Sequence, residues 1–379
     1  MGIDRGMTYD TPLSPRPLSH LNDAPLRVLN SRALREHGVS PTEADARCRP
    51  GGPWQMPLPG IYLLHPGPPT TADRLHACLL YADRPPRPVP TQAGPHRRLA
   101  AAPGVPAAPG AQAPPAAPTA HHAAPAEHPA QETQITGLAA LALHGFASTP
   151  PLPALDRIDV LVPRTRRLRS VGFARIVRGQ ALPEPEEITG LPVAPVTRAL
   201  ADAVRDTDDA VAVRRILTEA VRARHCEARA VVRELSRARL LSRPHVADAI
   251  DALLAEGRAI AEEHLYDMVC FQDLPDPCWN VELRLPGGPH LGGLDAYWPD
   301  HAVAVDLDTR APRHGQEEES LWEEYARKRE SLERFGITVV YLTPAKLRDS
   351  PEQQAAIVRT ALMAAADREP PAPVVVTPR

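Results

Sequence analysis

The chain of 379 residues contains few cysteines, very little lysine and no long apolar run. Its five cysteines, at positions 48, 78, 226, 270 and 278, include no Cys-x-x-Cys pair, so neither a disulfide framework nor a zinc site is indicated. No segment approaches the ~20 consecutive apolar residues of a membrane span, and residues 1–24 lack the apolar core of a signal peptide. These absences predict a soluble, cytoplasmic protein without a membrane partner.

The charge balance is close to neutral, with 43 basic and 46 acidic residues and a formal net charge of −3. Any surface that binds nucleic acid must therefore be local. Lys328 and Lys346 are the only lysines, and arginine supplies every other basic side chain. Two explanations are open: lysine stands where a compact, titratable amine matters, or codon bias left two lysines by chance.

Two alternating apolar and polar runs on either side of Pro299-Asp300 predict a β-hairpin. Side chains of a strand point to opposite faces in turn, so Leu294, Ala296 and Trp298 are expected on one face and Asp295 on the other. The first strand of the hairpin therefore combines an apolar face with a carboxylate.

The second strand of the hairpin carries two more acids, Asp306 and Asp308, which alternation places together on one face. A turn centred on Pro299-Asp300 sets Asp295 opposite Ala304, with Asp306 as its diagonal neighbour at roughly 7 Å. Carboxylates this close together predict a site for a hard divalent cation.

Residues 320–335 predict a helix ended by a glycine, and residues 337–342 predict an apolar strand. Lys328 lies on the inward stripe of this helix, together with Tyr325 and Leu332. An ammonium group on that stripe is unfavourable unless it reaches carboxylates or water. The acids of the hairpin are therefore its expected partners.

The order helix, strand, hairpin, helix, strand, with Asp295 on the first hairpin strand and Asp306 and Asp308 on the second, resembles the PD-(D/E)XK nuclease fold. More narrowly, residues 255–370 resemble the branch related to very-short-patch-repair endonucleases. Further matches to this branch are Glu263 or Glu262 in the preceding helix, LPDPCWN at 274–280 and DAYWP at 295–299. Two positions depart from the pattern, because Asp306 replaces a glutamate and Thr309 a glycine. The motif's lysine, two residues after Asp306, is also missing.

This resemblance implies an enzyme that hydrolyses phosphodiesters with Mg²⁺, or Mn²⁺, bound by Asp295 and Asp306. Glu263 or Asp308 would orient a water molecule or a second ion. Lys328, or Arg329 beside it, would supply the missing positive charge from the helix. In the alternative interpretation, Asp308 is only a strand-end residue and Lys328 pairs with a carboxylate in a catalytically inactive core.

Near the start of the chain, residues 31–38 and 40–49 each predict a short helix. Ser40 is a suitable cap for the second, and Pro41 suits its first position. Residues 54–64 then predict a short β-wing. This order of helix, helix and wing is typical of a winged helix-turn-helix.

The same region, above all LPGIY at 58–62, resembles the winged helix of AbiEi-type antitoxins. The resemblance implies that the second helix enters the major groove of DNA, with Arg47 and Arg49 as candidate contacts. Glu43 and Asp45 on that helix would repel phosphate. The alternative is a winged helix used only for packing or for protein contacts.

Four arginines follow the strand predicted at 157–162, in a segment that also resembles AbiEi-like proteins: Arg164, Arg166, Arg167 and Arg169. Arginines clustered on a loop suit phosphate contacts and form the strongest local signal for nucleic acid in the chain. A charged run that is simply solvated is the alternative.

Together these patterns predict an α/β protein with DNA as its partner, and with a cognate toxin or a second copy of the chain as further possible partners. We expect a metal-dependent endonuclease of a defence or toxin-antitoxin system, or alternatively a non-enzymatic DNA-binding repressor or antitoxin with a degenerate nuclease fold. The expected segments are a flexible tail at 1–24, a winged helix at 25–83, a Pro/Ala-rich linker at 84–134, a mixed α/β domain at 135–245, a nuclease-like αβββαβ domain at 246–370 and a tail at 371–379.

Overall fold

The computed structural model describes residues 27–84, 133–311, 315–366 and 373–379. The tail predicted at 1–24 and nearly all of the linker predicted at 84–134 lie outside these residues. The described chain is a mixed α/β structure with three sheets. Each of its described helices is too short or too polar to span a bilayer.

The first sheet contains three antiparallel strands in the order β1-β3-β2, namely β1 (Val28–Asn30), β2 (Gln55–Leu58) and β3 (Ile61–Leu63). The helices α1 (Ser31–Glu36) and α2 (Pro41–Arg47) precede the β2–β3 hairpin, as the sequence predicts. Ser40 caps α2 by accepting a hydrogen bond from the backbone of Glu43, and Pro41 occupies its first position. A further helix, α3 (Thr71–Ala82), begins with a capping box between Thr70 and Asp73.

The second sheet has five strands in the order β6-β5-β4-β8-β7, with bounds β4 (Gln134–Thr136), β5 (Ile158–Pro163), β6 (Ala174–Gly179), β7 (Glu186–Ile188) and β8 (Leu191–Val193). Its helices are α4 (Gly137–Leu143), α5 (Val196–Arg205), α6 (Ala210–Arg222) and α7 (Ala228–Arg237). Leu58 and Ile61 of the first sheet pack in the same apolar core as Ile135 and Val160 of the second. The two N-terminal regions therefore share one core, although the sequence predicts separate domains.

One long helix, α8 (Pro244–Phe271), crosses the domain boundary predicted at residue 245. Val246 and Leu253 in its first half pack in the N-terminal core. Leu265 and Met268 in its second half pack in a different core, beneath the third sheet. The helix is thus a common element of the two regions.

The third sheet has the strand order β12-β11-β10-β9-β13, with bounds β9 (Cys278–Arg284), β10 (His290–Trp298), β11 (Val303–Leu307), β12 (Thr338–Leu342) and β13 (Val375–Pro378). Strands β11 and β12 are parallel and the other neighbours are antiparallel. The helix α9 (Gly315–Glu333) connects β11 to β12, and α10 (Pro344–Asp349) and α11 (Pro351–Ala366) follow. The prediction of a tail at 371–379 is wrong at 375–378, which form an edge strand of the sheet.

The hairpin of β10 and β11 has a different register from the predicted one. Tyr297 pairs with Ala304 and Ala296 with Val305, and the pairing ends there, so that Asp295 and Asp306 are the first residues beyond it on the two strands. The shift arises because Pro299–His301 form a 3-10 turn that ends at Ala302 in the left-handed region (φ 48°), which makes the connection longer than two residues.

The alternation of β10 is interrupted beside Asp295. Ala296 and Trp298 pack in the core beneath α8, whereas Leu294 packs with Leu332 of α9 on the other side of the sheet. The prediction that these three apolar residues share a face is therefore wrong. On the neighbouring strand β9, Asn280 adopts a left-handed φ of 49°, which disturbs the regular pleat at this level.

Candidate functional site

A cleft of about 350 Å³ opens where β10 and β11 separate, between α8 and α9. Its charged lining residues are Arg258, Asp306, Arg310, Glu324, Lys328 and Arg379. Four of these six side chains are cationic, which makes the cleft suitable for an anion although the whole chain carries a net charge of −3.

Asp295 lies at the point where the two strands diverge and is only 3% exposed. Its Oδ2 accepts a hydrogen bond from the backbone N–H of Leu307 at 2.6 Å. Its Oδ1 accepts one from Nη2 of Arg258 at 2.5 Å. The carboxylate thus bonds to the backbone of β11 directly, and both of its oxygens have partners.

Asp306 faces the cleft from β11 and is 8% exposed. Its Oδ2 accepts a hydrogen bond from Nζ of Lys328 at 2.7 Å, and the same ammonium donates to the carbonyl of Gly293, also at 2.7 Å. Burial raises the pKa of Asp306 and Asp295 adds to the rise, whereas Lys328 opposes both effects.

Lys328 reaches Asp306 because it lies on the buried stripe of α9, together with Leu332, as the sequence predicts. The stem of the lysine passes close to Gly292, which has a φ of 120°. A Cβ at that position would lie 3.2 Å from Cε of Lys328. Glycine therefore satisfies both the backbone conformation and the close approach of the lysine.

Asp308 does not join Asp306 in the cleft, although alternation predicts a common face. It lines two other cavities. Its oxygens accept hydrogen bonds from the hydroxyl of Tyr325 at 3.0 Å and from Nη1 of Arg229 at 3.2 Å. The divergence occurs because β11 ends at Leu307.

Of the two glutamates considered in the preceding helix, Glu262 lies near the site and Glu263 is exposed on α8. Oε1 of Glu262 is 2.8 Å from Nε of Arg258, whose other end bonds to Asp295. Arg258 therefore bridges a glutamate of the helix and the buried aspartate of the sheet.

These residues allow a direct test of whether the site suits a divalent cation. Among the described residues, no cluster of three or more His, Cys, Asp or Glu side chains could enclose a metal ion. Mg²⁺, however, usually keeps several waters and binds through one or two carboxylates. Asp295 and Asp306 fit such a site if Arg258 releases Oδ1 of Asp295.

The comparisons with known proteins add no relative. No family model matches this chain, and no curated protein or solved structure is significantly similar to it. The likeness to nucleases and antitoxins therefore remains a prediction that depends on short motifs.

The structure places the two arginines predicted on α2 and beside it in different environments. Arg47 is 4% exposed, lies with its guanidinium 4.9 Å from the centre of the Trp54 ring, and bonds to Glu43 at 2.8 Å. Arg47 is buried against Trp54 and is therefore not on the surface, where a DNA contact would have to lie. Arg49 is exposed.

The arginine loop after β5 presents Arg164, Arg167 and Arg169 to solvent. Arg166 is half-buried and donates to the carbonyl of Arg84 at 3.1 Å. The loop is tied to its surroundings, because the Tyr81 hydroxyl of α3 donates to the carbonyl of Arg169 at 2.8 Å. Three exposed guanidinium groups are thus held on an anchored backbone.

Sequence reasoning missed three cations of the cleft. Arg258 has a local signal, because it precedes Glu262 by four residues in a helix and such pairs face each other. Arg310 pairs with Glu324 at 2.9 Å, a contact between the end of β11 and α9 that no local pattern indicates. Arg379 reaches the cleft because β13 adds to the edge of the sheet.

Proposed function

We propose that the protein is a DNA-associated, metal-dependent nuclease of a defence or toxin-antitoxin type system. One observation carries the proposal: the buried Asp295 accepts a hydrogen bond from the backbone N–H of Leu307, the residue next to Asp306, and Lys328 bonds to Asp306. The succession of α8, β9, β10, β11, α9 and β12 also agrees with the αβββαβ order expected of the PD-(D/E)XK fold.

The side chains of the cleft, together with the buried Asp295 that bonds to Arg258 of its lining, suit the hydrolysis of a phosphodiester, in which water attacks phosphorus and the P–O bond to the leaving oxygen breaks. Asp295 and Asp306 would hold Mg²⁺, which when bound supplies an activated water molecule and neutralises phosphate charge. The ammonium of Lys328 is fixed beside Asp306 and would stabilise negative charge that develops on the phosphate. Arg310 and Arg379 would bind the flanking backbone.

A second function is favoured by the ion pair between Arg258 and Asp295. Because Arg258 uses one oxygen of Asp295, the chain could be a non-enzymatic DNA-binding repressor or antitoxin with a degenerate nuclease fold. In that case Arg49 and the exposed arginines of the loop, Arg164, Arg167 and Arg169, would provide the contacts with DNA. A cognate toxin or a second copy of the chain would be a further partner.

Cleavage of plasmid DNA with Mg²⁺ or Mn²⁺ distinguishes the two functions. We expect the wild-type protein to cut and Asp295→Asn, which keeps the size of the side chain but removes its charge, to lose at least about 100-fold in rate. Asp300→Asn is the matched control, because Asp300 is an exposed carboxylate of the same hairpin. DNA binding without any cleavage by the wild-type protein would support the repressor.

A further inference from the structure

A second cavity, of about 380 Å³, lies on the other flank of α9 from the carboxylate cleft. Its volume is in the range of small-molecule sites, about 300–1,000 Å³. The side chains that carry the argument are Asp308, Trp322, Tyr325, Arg329, Tyr341 and Lys346. None of these six residues lines the carboxylate cleft, the cleft of Asp306 and Lys328 described above, so the cavity is a separate site.

Trp322 is 63% exposed and forms one wall of this cavity. A single exposed aromatic residue is common and indicates little by itself. Here two further rings line the same cavity: Tyr325 and Tyr341 meet edge to face, with ring centres 5.4 Å apart. Arg310 lies 5.2 Å from the ring of Tyr325, on the side of the cleft. The two tyrosine rings are therefore held in place before any ligand arrives, and the exposed indole is available for stacking.

The charges of the cavity suit a phosphate beside a flat ring. Arg329 and Lys346 are exposed cations that line the cavity. The carboxylate of Asp308, fixed by its hydrogen bond from the Tyr325 hydroxyl, adds an acceptor of the kind that receives an exocyclic amino group of a base. An aromatic face combined with cations is how proteins bind single-stranded nucleic acid.

We propose that this cavity binds an unpaired base of single-stranded nucleic acid, with the base stacked on Trp322 and its phosphate on Arg329 and Lys346. A base within a duplex is already stacked on both sides, so the indole can receive only an unpaired or extruded one. The proposal rests on the proposed function, because it assumes that a nucleic acid is also the substrate of the cleft across α9. It gives the protein a preference for unpaired strands that the carboxylates cannot provide.

The test is the binding of a single-stranded hexadeoxynucleotide to the full-length protein in EDTA, where no metal-dependent cleavage occurs. We expect Trp322→Ala to weaken binding at least about 5-fold, since stacking on an aromatic side chain contributes about 1–3 kcal/mol per base. Phe271→Ala is the matched control, because Phe271 is an aromatic residue that is 78% exposed at the end of α8, outside the cavity. Tryptophan fluorescence should change on binding to the wild-type protein but not to Trp322→Ala, because Trp54 and Trp298 are buried and the half-buried Trp279 lies outside the cavity, beside Tyr266.

Two further measurements separate the base from the phosphate. A hexamer of abasic nucleotides, which keeps the phosphates, should bind the wild-type protein about as weakly as the normal hexamer binds Trp322→Ala. Lys346→Ala should reduce the slope of log K against log salt by about 0.7, the value for one phosphate of a single strand. Arg327→Ala, an exposed cation of α9 that does not line the cavity, should leave the slope unchanged.

Equal affinities of the wild-type protein and Trp322→Ala would overturn the proposal, as would tight binding of the abasic hexamer or no binding of the normal one. The binding measurement in EDTA and the cleavage assay can fail separately. If the protein cuts no DNA but Trp322→Ala weakens binding, the base site stands and the nuclease fails. If it cuts DNA and Trp322→Ala binds normally, the nuclease stands and the base site fails.

Discussion

Replacing Lys328 by methionine separates its electrostatic role from its packing. Methionine keeps the long apolar stem that passes Gly292 but removes the ammonium that bonds to Asp306. We expect turnover to fall on the order of 100-fold or more, because a charge next to the reacting phosphate acts mainly on the transition state. DNA affinity should change little, since Arg310 and Arg379 still line the cleft.

The same substitution should also have a stability cost that depends on pH. The side chains of Lys328 and Asp306 are only 16% and 12% exposed, and loss of one partner of a buried pair costs about 3–5 kcal/mol. Protonation of Asp306 limits this cost. Burial already raises the pKa of Asp306, and the ammonium of Lys328 lowers it. Loss of Lys328 therefore raises the pKa of Asp306 further.

The sign follows from linkage between protonation and folding. A carboxyl whose pKa is higher in the folded than in the unfolded protein favours folding while it is protonated, and that contribution is lost as pH rises through the folded pKa. Lys328→Met should therefore be closest to wild type in stability near pH 4–5, around the ordinary carboxyl pKa of about 4, and fall behind toward pH 8. Adding Asp306→Asn should restore much of the loss at pH 8.

Urea unfolding at pH 5 and pH 8, with single-turnover cleavage at pH 8, checks these expectations. Arg327→Met is a suitable control, because Arg327 is exposed on the same helix and pairs with Glu323 at the surface. A Lys328→Met protein that cuts DNA at the wild-type rate would refute the catalytic role. A stability loss equal at both pH values would refute the argument from Asp306.

Two further expectations concern ligands. Mn²⁺ should raise the melting temperature of the full-length protein, and Asp306→Ala should abolish that rise. Arg258→Ala should enlarge the rise, because Oδ1 of Asp295 becomes available. Identical shifts in all proteins would argue against a metal site. Replacing Arg164, Arg167 and Arg169 together by alanine should weaken duplex DNA binding and flatten its salt dependence by about 0.9 per lost phosphate contact, whereas an unchanged slope would mean that the arginine loop is only solvated.

The sequence allows the elements around the site to be predicted but not their exact alignment. Period-2 and helical patterns are local, so the hairpin, the helix after it and the inward position of Lys328 could all be found. The register of the hairpin depended on the left-handed conformation of Ala302. The sequence gives no sign of this conformation, because alanine rarely adopts it. Ala304 consequently pairs with Tyr297 and not with Asp295, a shift of two positions that leaves Asp306 next beyond the last pair, as Asp295 is on its own strand.

Contacts between segments distant in sequence could not be predicted from local patterns, for a different reason. Arg47 looked like a surface residue of α2, but Trp54, the residue before β2, covers it. Arg379 looked like part of a tail, but the pairing of β13 with β9 brings it to the cleft. In both cases the partner is chosen by tertiary packing, which outweighs local preference.

The long helix α8 gives the protein a mechanical link between its two cores. Its 28 residues, at 1.5 Å per residue, make a rod of about 42 Å whose two halves are embedded in different apolar clusters. Arg258 projects from the middle of this rod and bonds to Asp295. A sliding or rotation of the helix by a few ångströms, driven from the N-terminal core, would withdraw the guanidinium from the carboxylate. The state of one half of the molecule would then be transmitted to the carboxylates of the other.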